Sequence, residues 1–307
     1  MPRVGVIGAT GAVGRVLREL LREWDDVRYF ASARSAGTEL DGRRVEEASP
    51  DALSAGGLDL CFFAIGAAAS LELVPHAVRG GAVAIDKSSA WRMKPDVPLV
   101  VPEVNGGRAL EHNGVIAVPN CSTIQLLVAL KPLHDAAGLR NIRVATYQSV
   151  SGAGTQAMDR LRAETVDEHD ARGDWTFDGE EFEEEAKIRE EVRKILELPE
   201  LPVQATCVRV PVLVGHLEAV WIETEEALEP EQACKLLAST PGVRVVDVPS
   251  PAQAAGEDDV LVGRIRRDPA APNGLTLMVA ADNLRKGAAL NAVQIAQLLV
   301  ERSALAA

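Results

Sequence analysis

Near the start of the chain, Val4-Gly5-Val6-Ile7 is a short apolar run that stops at a glycine, and apolar residues then return at Val16, Leu17, Leu20 and Leu21. The unbroken run predicts a strand buried on both faces, and the 3.6-residue return predicts a helix packed against it. The same pattern recurs. Apolar runs at 27–30, 58–65, 82–85 and 99–101 read as strands, with a helical spacing at 68–78. Strands alternating with helices imply a parallel, doubly wound α/β sheet. Beyond residue 119 the pattern changes. Residues 124–130 form a continuous apolar helix, while 142–148, 205–212 and 217–224 read as strands with less helix between them. The expectation is two domains: 1–119 closed by a returning helix in 284–307, and an α+β domain with a mixed sheet over 120–283.

Composition fits this division. The 307 residues are 47% hydrophobic and 25% charged, enough for two modest cores in a soluble protein. A net charge of −13 repels a phosphate backbone or an anionic bilayer at long range, so neither nucleic acid nor membrane is an expected partner. The four cysteines, Cys61, Cys121, Cys207 and Cys234, lack the close pair spacing of a zinc site, and no metal is expected. With no basic leader and no apolar span long enough to cross a bilayer, the expected location is the cytoplasm.

The first strand runs into Gly8-Ala9-Thr10-Gly11-Ala12-Val13-Gly14 and then a helix. Glycines at that junction permit a tight turn and close approach of backbone to a pyrophosphate, which the helix N-terminus favours. The spacing is G-x-x-G-x-x-G rather than strict G-x-G-x-x-G, but its place between strand and helix makes this a Rossmann-like nucleotide site. The second strand ends in Ser32-Ala33-Arg34-Ser35, where an NAD-selective site would carry an acidic residue. A guanidinium flanked by hydroxyls suits a 2′-phosphate, so NADP is the expected cofactor. Loop 66–70, after another strand, is the expected second wall of that cleft.

Cys121 carries the candidate chemistry. It follows Pro119-Asn120 and precedes Ser122 and the apolar helix, so Asn120 or Ser122 supplies the N-cap and the sulfur lies near free backbone N–H groups. Those groups favour a thiolate and can cradle an oxyanion. A free cysteine is more often buried and inert, and the loop-to-helix position argues otherwise. A thiol needs a base. His216, at a strand junction with Arg209 upstream, is the candidate. Gln148 emerges at a strand end ahead of Ser151-Gly152. The acidic stretch 179–196 reads mostly as a solvated helix face, on which Glu184 and Lys187 share one side.

Together these residues resemble the aspartate-β-semialdehyde dehydrogenase family. The resemblance runs along nearly the whole chain, through the glycine loop, Ser88-Ser89-Ala90-Trp91-Arg92, Val101-Pro102-Glu103-Val104-Asn105, Pro119-Asn120-Cys121-Ser122-Thr123, Tyr147-Gln148-Ser149-Val150-Ser151-Gly152-Ala153-Gly154, Arg209-Val210-Pro211-Val212 with His216, Val262-Gly263-Arg264-Ile265-Arg266 and Asp282-Asn283-Leu284-Arg285-Lys286-Gly287. It implies NADP-dependent reductive dephosphorylation of L-4-aspartyl phosphate to L-aspartate 4-semialdehyde, in biosynthesis of lysine, methionine, threonine and diaminopimelate, by a homodimer. By the resemblance Cys121 is the nucleophile, His216 the acid/base and Gln148 the residue that orients the acyl group. Arg209 and Glu184 would hold the substrate's α-carboxylate and α-amine. Arg92, Asn120 and Lys187 would form the phosphate pocket, and Asn283 would touch the nicotinamide. Two departures stand out: 155–183 is shorter than the family's usual insert, and Lys87 follows Asp86 where an uncharged residue is more usual. A related acyl-phosphate reductase acting on an N-acetylated substrate, an acyl-CoA reductase and a non-catalytic nucleotide-binding relative are the competing readings.

Overall fold

The computed structural model describes residues 2–163 and 175–302, so part of the shortened stretch, 164–174, lies outside the described residues. The chain divides into two compact units, Met1–Pro119 with Ala288–Ala307, and Asn120–Gly287.

Seven strands make the sheet of the first unit: β1 (Val4–Ile7), β2 (Val27–Ala31), β3 (Glu39–Leu40), β4 (Arg43–Glu47), β5 (Leu60–Phe63), β6 (Val83–Asp86) and β7 (Val115–Ala117). Their order is β3-β4-β2-β1-β5-β6-β7, and every pairing is parallel except β3 with β4. The doubly wound sheet expected from the apolar runs is therefore present. Every residue of β1, β5 and β6 is buried, as strands covered on both faces require. Helices α1 (Ala12–Leu20), α2 (Pro50–Ser54), α3 (Ala67–Arg79) and α4 (Pro102–Asn105) belong to this unit, as does the C-terminal helix Leu290–Glu301. Strand order reverses at β1, which puts the crevice beyond its carboxyl end at the glycine loop.

One expected strand is absent. At 99–101 only Leu99 bridges Ala117, because Pro102 has no N–H to continue a ladder and starts α4 instead.

The second unit contains α5 (Cys121–Ala137), β8 (Leu139–Gln148), α6 (Thr155–Ala163), α7 (Glu183–Leu196), β9 (Val203–Arg209), β10 (His216–Thr224), α8 (Pro230–Ala238), β11 (Val243–Val245), α9 (Pro251–Ala254), β12 (Val260–Arg267) and β13 (Gly274–Ala281). Its sheet is mixed, in the order β11-β12-β13-β10-β8-β9, with parallel pairs at both ends and antiparallel pairs between. Burial alternates strictly along β10, so His216, Glu218, Val220 and Ile222 face inward. Tyr147, Ala219, Trp221 and Met278 lie on the other face, where all four keep part of their surface open. The strand expected over 205–212 stops at Arg209; Val210 still donates to Gln148, but Pro211 cannot donate.

Candidate active site

Asn120, not Ser122, caps α5: its side-chain oxygen accepts the Ser122 N–H at 2.8 Å. Cys121 is thus the first residue of a helix buried almost all round, with residues 122–130 all covered, and that helix cannot shift without repacking. Its sulfur lies 3.1 Å from Nε2 of His216, the first residue of β10. The Ser149 backbone N–H donates to the other ring nitrogen, Nδ1, at 3.0 Å. Nδ1 therefore carries the lone pair, and the neutral ring holds its proton on Nε2, toward the sulfur. Complete burial, and then the charge of Arg209, pull the His216 pKa down to about 3. At physiological pH the ring is a neutral donor facing the thiol.

A network behind the histidine fixes it. Asn283 accepts through Oδ1 from Ser149 Oγ at 3.0 Å, Ser151 Oγ at 3.1 Å and Gly215 N at 2.9 Å. Its amide donates back to Ser151 Oγ at 2.8 Å. Arg209, buried, donates to the Ser149 carbonyl at 2.9 Å, and its guanidinium lies 4.5 Å from the centre of the Trp175 ring. Gly152 sits against both: a Cβ there would come within 3.2 Å of Arg209 and 3.6 Å of His216. Gly287 approaches from the far side, where a Cβ would lie 2.9 Å from Cβ of Cys121.

Helix α7 supplies the next wall, and most of its acids keep part of their surface open. Its acidic stretch is not simply a solvated face, since Glu184 and Glu191 are buried along the stripe of Ile188, Val192 and Ile195. Glu184 accepts from Asn120 Nδ2 at 2.8 Å and lies 3.6 Å from Lys187; Glu191 accepts the Asn120 backbone N–H at 2.6 Å. Two carboxylates thus hold the residue before the thiol. Gln148, also buried, donates to Thr146 Oγ1 at 3.3 Å and points at Cys207 Sγ at 3.9 Å. The spare thiols Cys61 and Cys207 are buried, and desolvation raises the pKa of each.

In the first unit, the glycine loop has the conformation a dinucleotide needs. Gly8 has φ +89°, and a Cβ there would lie 2.4 Å from the Ala64 carbonyl; a Cβ on Gly14 would lie 2.1 Å from the Gly8 carbonyl. Gly11 caps α1 without a side chain, leaving the N–H groups of Ala12, Val13 and Gly14 at the helix start beside Thr10. The turn after β2 carries Ser32 and Arg34 exposed and Ser35 partly so, and Arg34 has no protein partner among the described residues. These groups fit a nucleotide with a 2′-phosphate. Arg92 is buried and donates to the carbonyls of Val118 at 2.9 Å and Lys87 at 2.7 Å. Burial raises the pKa of Asp86, whose carboxylate accepts from Ser88 Oγ at 2.6 Å.

The structure therefore brings Cys121, His216, Ser151, Gly152, Arg209 and Asn283 into one network, with Asn120, Glu184 and Lys187 joined beside Cys121. The glycine loop, Arg34 and Arg92 belong to the other unit. Sequence reasoning missed Ser149, Trp175, Glu191 and Gly287. Glu191 was detectable, because it falls seven residues after Glu184 on the stripe of apolar residues. For Trp175 no sequence signal existed, while Ser149 lies in the stretch Tyr147-Gln148-Ser149-Val150-Ser151-Gly152-Ala153-Gly154 that carries the resemblance but was given no role of its own.

A dinucleotide-type loop on one unit and a thiol paired with an imidazole on the other define an oxidoreductase. The semialdehyde dehydrogenase NAD binding domain matches residues 3–112, and the semialdehyde dehydrogenase dimerisation domain matches 130–177 and 171–286. The two parts of the second match meet inside the shortened stretch. Aspartate-semialdehyde dehydrogenase of Streptomyces akiyoshiensis is 45% identical over 333 residues, covering 97% of this chain and 98% of its own. The structure of aspartate semialdehyde dehydrogenase II complexed with ASA from Vibrio cholerae is 41% identical with a TM-score of 0.92, covering 98% of each chain. That of aspartate semialdehyde dehydrogenase with NADP from Candida albicans is 25% identical with a TM-score of 0.80, covering 99% of each. This chain belongs to the aspartate-semialdehyde dehydrogenase family.

Proposed function

We propose that this chain reduces L-4-aspartyl phosphate to L-aspartate 4-semialdehyde, reversibly and with NADP, through a thioester on Cys121. The 3.1 Å contact between Cys121 Sγ and His216 Nε2, with buried Arg209 alongside, carries the reading.

The thiolate attacks the acyl carbonyl and phosphate departs with both electrons of the C–O bond, leaving a thioester. Sulfur serves because it is both a good nucleophile and a good leaving group. NADPH, when bound, supplies the hydride that reduces this thioester. The Nε2–H of His216 donates to the oxygen on which negative charge develops. For the ring to take a proton, Nδ1 must give up the Ser149 N–H at 3.0 Å, and Ser149 Oγ, 3.1 Å from the same nitrogen, can then accept from it. Arg209 adds a substrate-dependent element: pairing with the α-carboxylate neutralises the charge that disfavours protonated His216, so the histidine becomes more basic once substrate is seated. Glu184 answers a free α-amine, which an acetylated substrate lacks, and this favours the aspartyl substrate over the N-acetylated one. Gln148 orients the acyl group, Asn283 meets the nicotinamide, and Arg92, Asn120 and Lys187 receive the phosphate.

The nucleotide role falls to 1–119 with 284–307, and catalysis and dimerisation to 120–283. A match to a dimerisation domain, and the open face of Tyr147, Ala219, Trp221 and Met278, support a homodimer formed across the second sheet. No helix among the described residues is long and apolar enough to cross a membrane, which accords with a cytoplasmic enzyme. The test is NADPH formation from L-aspartate semialdehyde and NADP. The rate should depend on inorganic phosphate and fall to background in Cys121→Ala; a phosphate-independent rate, or an active Cys121→Ala, refutes the proposal.

A further inference from the structure

The chain carries a net charge of −13, yet four of its arginines, Arg15, Arg18, Arg22 and Arg43, line one cavity of about 260 Å³ in the first unit. Glu19 and Asp41 share the lining, so the wall keeps a net charge of +2, and Tyr29 completes it. Arg15, Arg18 and Arg22, spaced by three and four residues, stand on one face of α1 and the turn that follows it. Like charges at that spacing repel one another and weaken a helix.

The β3–β4 hairpin forms the other side of the cavity. Its two-residue turn is Asp41-Gly42, with φ +51° and +74°, the left-handed pair that a type I′ turn requires. Asp41 bonds Arg18, and Arg43 donates to the Val27 carbonyl. Both guanidinium groups lie 5.8 Å from the centre of the buried Tyr29 ring. Two arginines are thus fixed in place, while Arg15 and Arg22 are exposed and have no protein partner among the described residues. One further donor is unused: Nε of Arg18 is buried without a hydrogen-bond partner. A buried N–H without an acceptor is unfavourable unless a ligand supplies one.

This cavity is not the nucleotide crevice. Arg43 is anchored at the amino end of β2, and the strand rises about 13 Å from there to the turn that carries Ser32, Arg34 and Ser35. None of those three residues, and none of the glycine loop, lines it. Guanidinium forks that converge from two sides suit a tetrahedral group, which offers oxygens in several directions, better than a planar carboxylate. A phosphoryl group also carries nearly two negative charges near neutral pH, which matches the wall.

We propose that the cavity between α1 and the β3–β4 hairpin binds a phosphoryl dianion, free or at the end of a small phosphomonoester, at a site separate from the reacting thiol and the nucleotide loop.

The test is equilibrium dialysis of labelled inorganic phosphate against the wild type and the double variant Arg15→Ser/Arg22→Ser, in the full chain at fixed ionic strength, with and without saturating NADP. Both arginines are exposed and unpartnered, so the variant should keep the wild-type urea midpoint in phosphate-free buffer. Loss of two forks should weaken this site about tenfold or more, so the wild type should bind one phosphate per chain more than the variant, with kcat within about twofold. Displacement of that phosphate by glycerol 1-phosphate marks a phosphomonoester as the occupant and its absence marks the free ion; either upholds the site. Equal binding by the two proteins would overturn the proposal. So would loss of the extra phosphate on saturation with NADP, which would make the cavity part of the nucleotide subsite, and so would equal displacement by succinate. Phosphate held beside Cys121 is common to both proteins, so failure of the proposed reaction would lower both counts and leave their difference intact.

Discussion

In the folded chain His216 stays unprotonated down to about pH 3, because complete burial and the Arg209 charge both oppose the cation. Once unfolded, the ring titrates near its ordinary value of 6.5. Between those values the unfolded state binds one more proton than the native state, so stability falls as pH drops below 6.5 and is unaffected by this group above it. At about pH 5 the unfolded ring is some 1.5 units below its pKa, which amounts to a loss of about 2 kcal/mol relative to about pH 8. The native ring is neutral at both, so the figure follows from the unfolded value alone. In His216→Asn the side-chain oxygen can accept the Ser149 N–H in place of Nδ1, and it has no proton to take up. Urea unfolding of the two proteins, at one protein concentration and at both pH values, isolates the term. The wild type should lose about 2 kcal/mol more than the variant on going to about pH 5. Equal losses would show that the native ring titrates like an exposed histidine, and the account of a neutral donor facing the thiol would fail.

Two further outcomes are expected. Gly287→Ala puts a methyl group 2.9 Å from Cβ of Cys121, so the thiol must move; kcat should drop about tenfold or more while NADP affinity is kept, and unchanged kcat would refute the contact. Trp221→Glu places a charge on the open face of the second sheet and should shift a dimer toward monomer in sedimentation, whereas an unchanged sedimentation coefficient would move the interface elsewhere.

Fold class was legible because it rests on periodicity, and periodicity survives without tertiary context. The buried runs of β1, β5 and β6 and the helical return at 67–79 are local signals. At 99–101 the signal misled, because three apolar residues satisfy a strand pattern whether or not a neighbouring proline ends the ladder. On α7 most of the acids keep part of their surface open, as expected of a mostly solvated face, and phase along the helix would have separated Glu184 and Glu191 from the rest. The nucleotide loop could be read from glycine spacing, since Gly8 and Gly14 answer local steric demands. Cys121 and His216 could be nominated separately, 95 residues apart, but nothing in the sequence shows that they touch. Ser149 determines which ring nitrogen holds the proton through its backbone N–H, and a backbone group leaves no residue-type signature.

One oxygen atom in the second unit has a mechanical consequence. Asn283 Oδ1 receives three donors from two segments that connect strands, Ser149 and Ser151 on one side and Gly215 on the other. Connecting segments ordinarily fluctuate independently, each with its own opening free energy. Here a single acceptor ties both, so a displacement of Asn283 surrenders the bonds of both segments at once. The amides around His216 should then open to solvent as one event, and warming should dismantle the base, its orienting serine and the Gly152 turn together rather than in sequence.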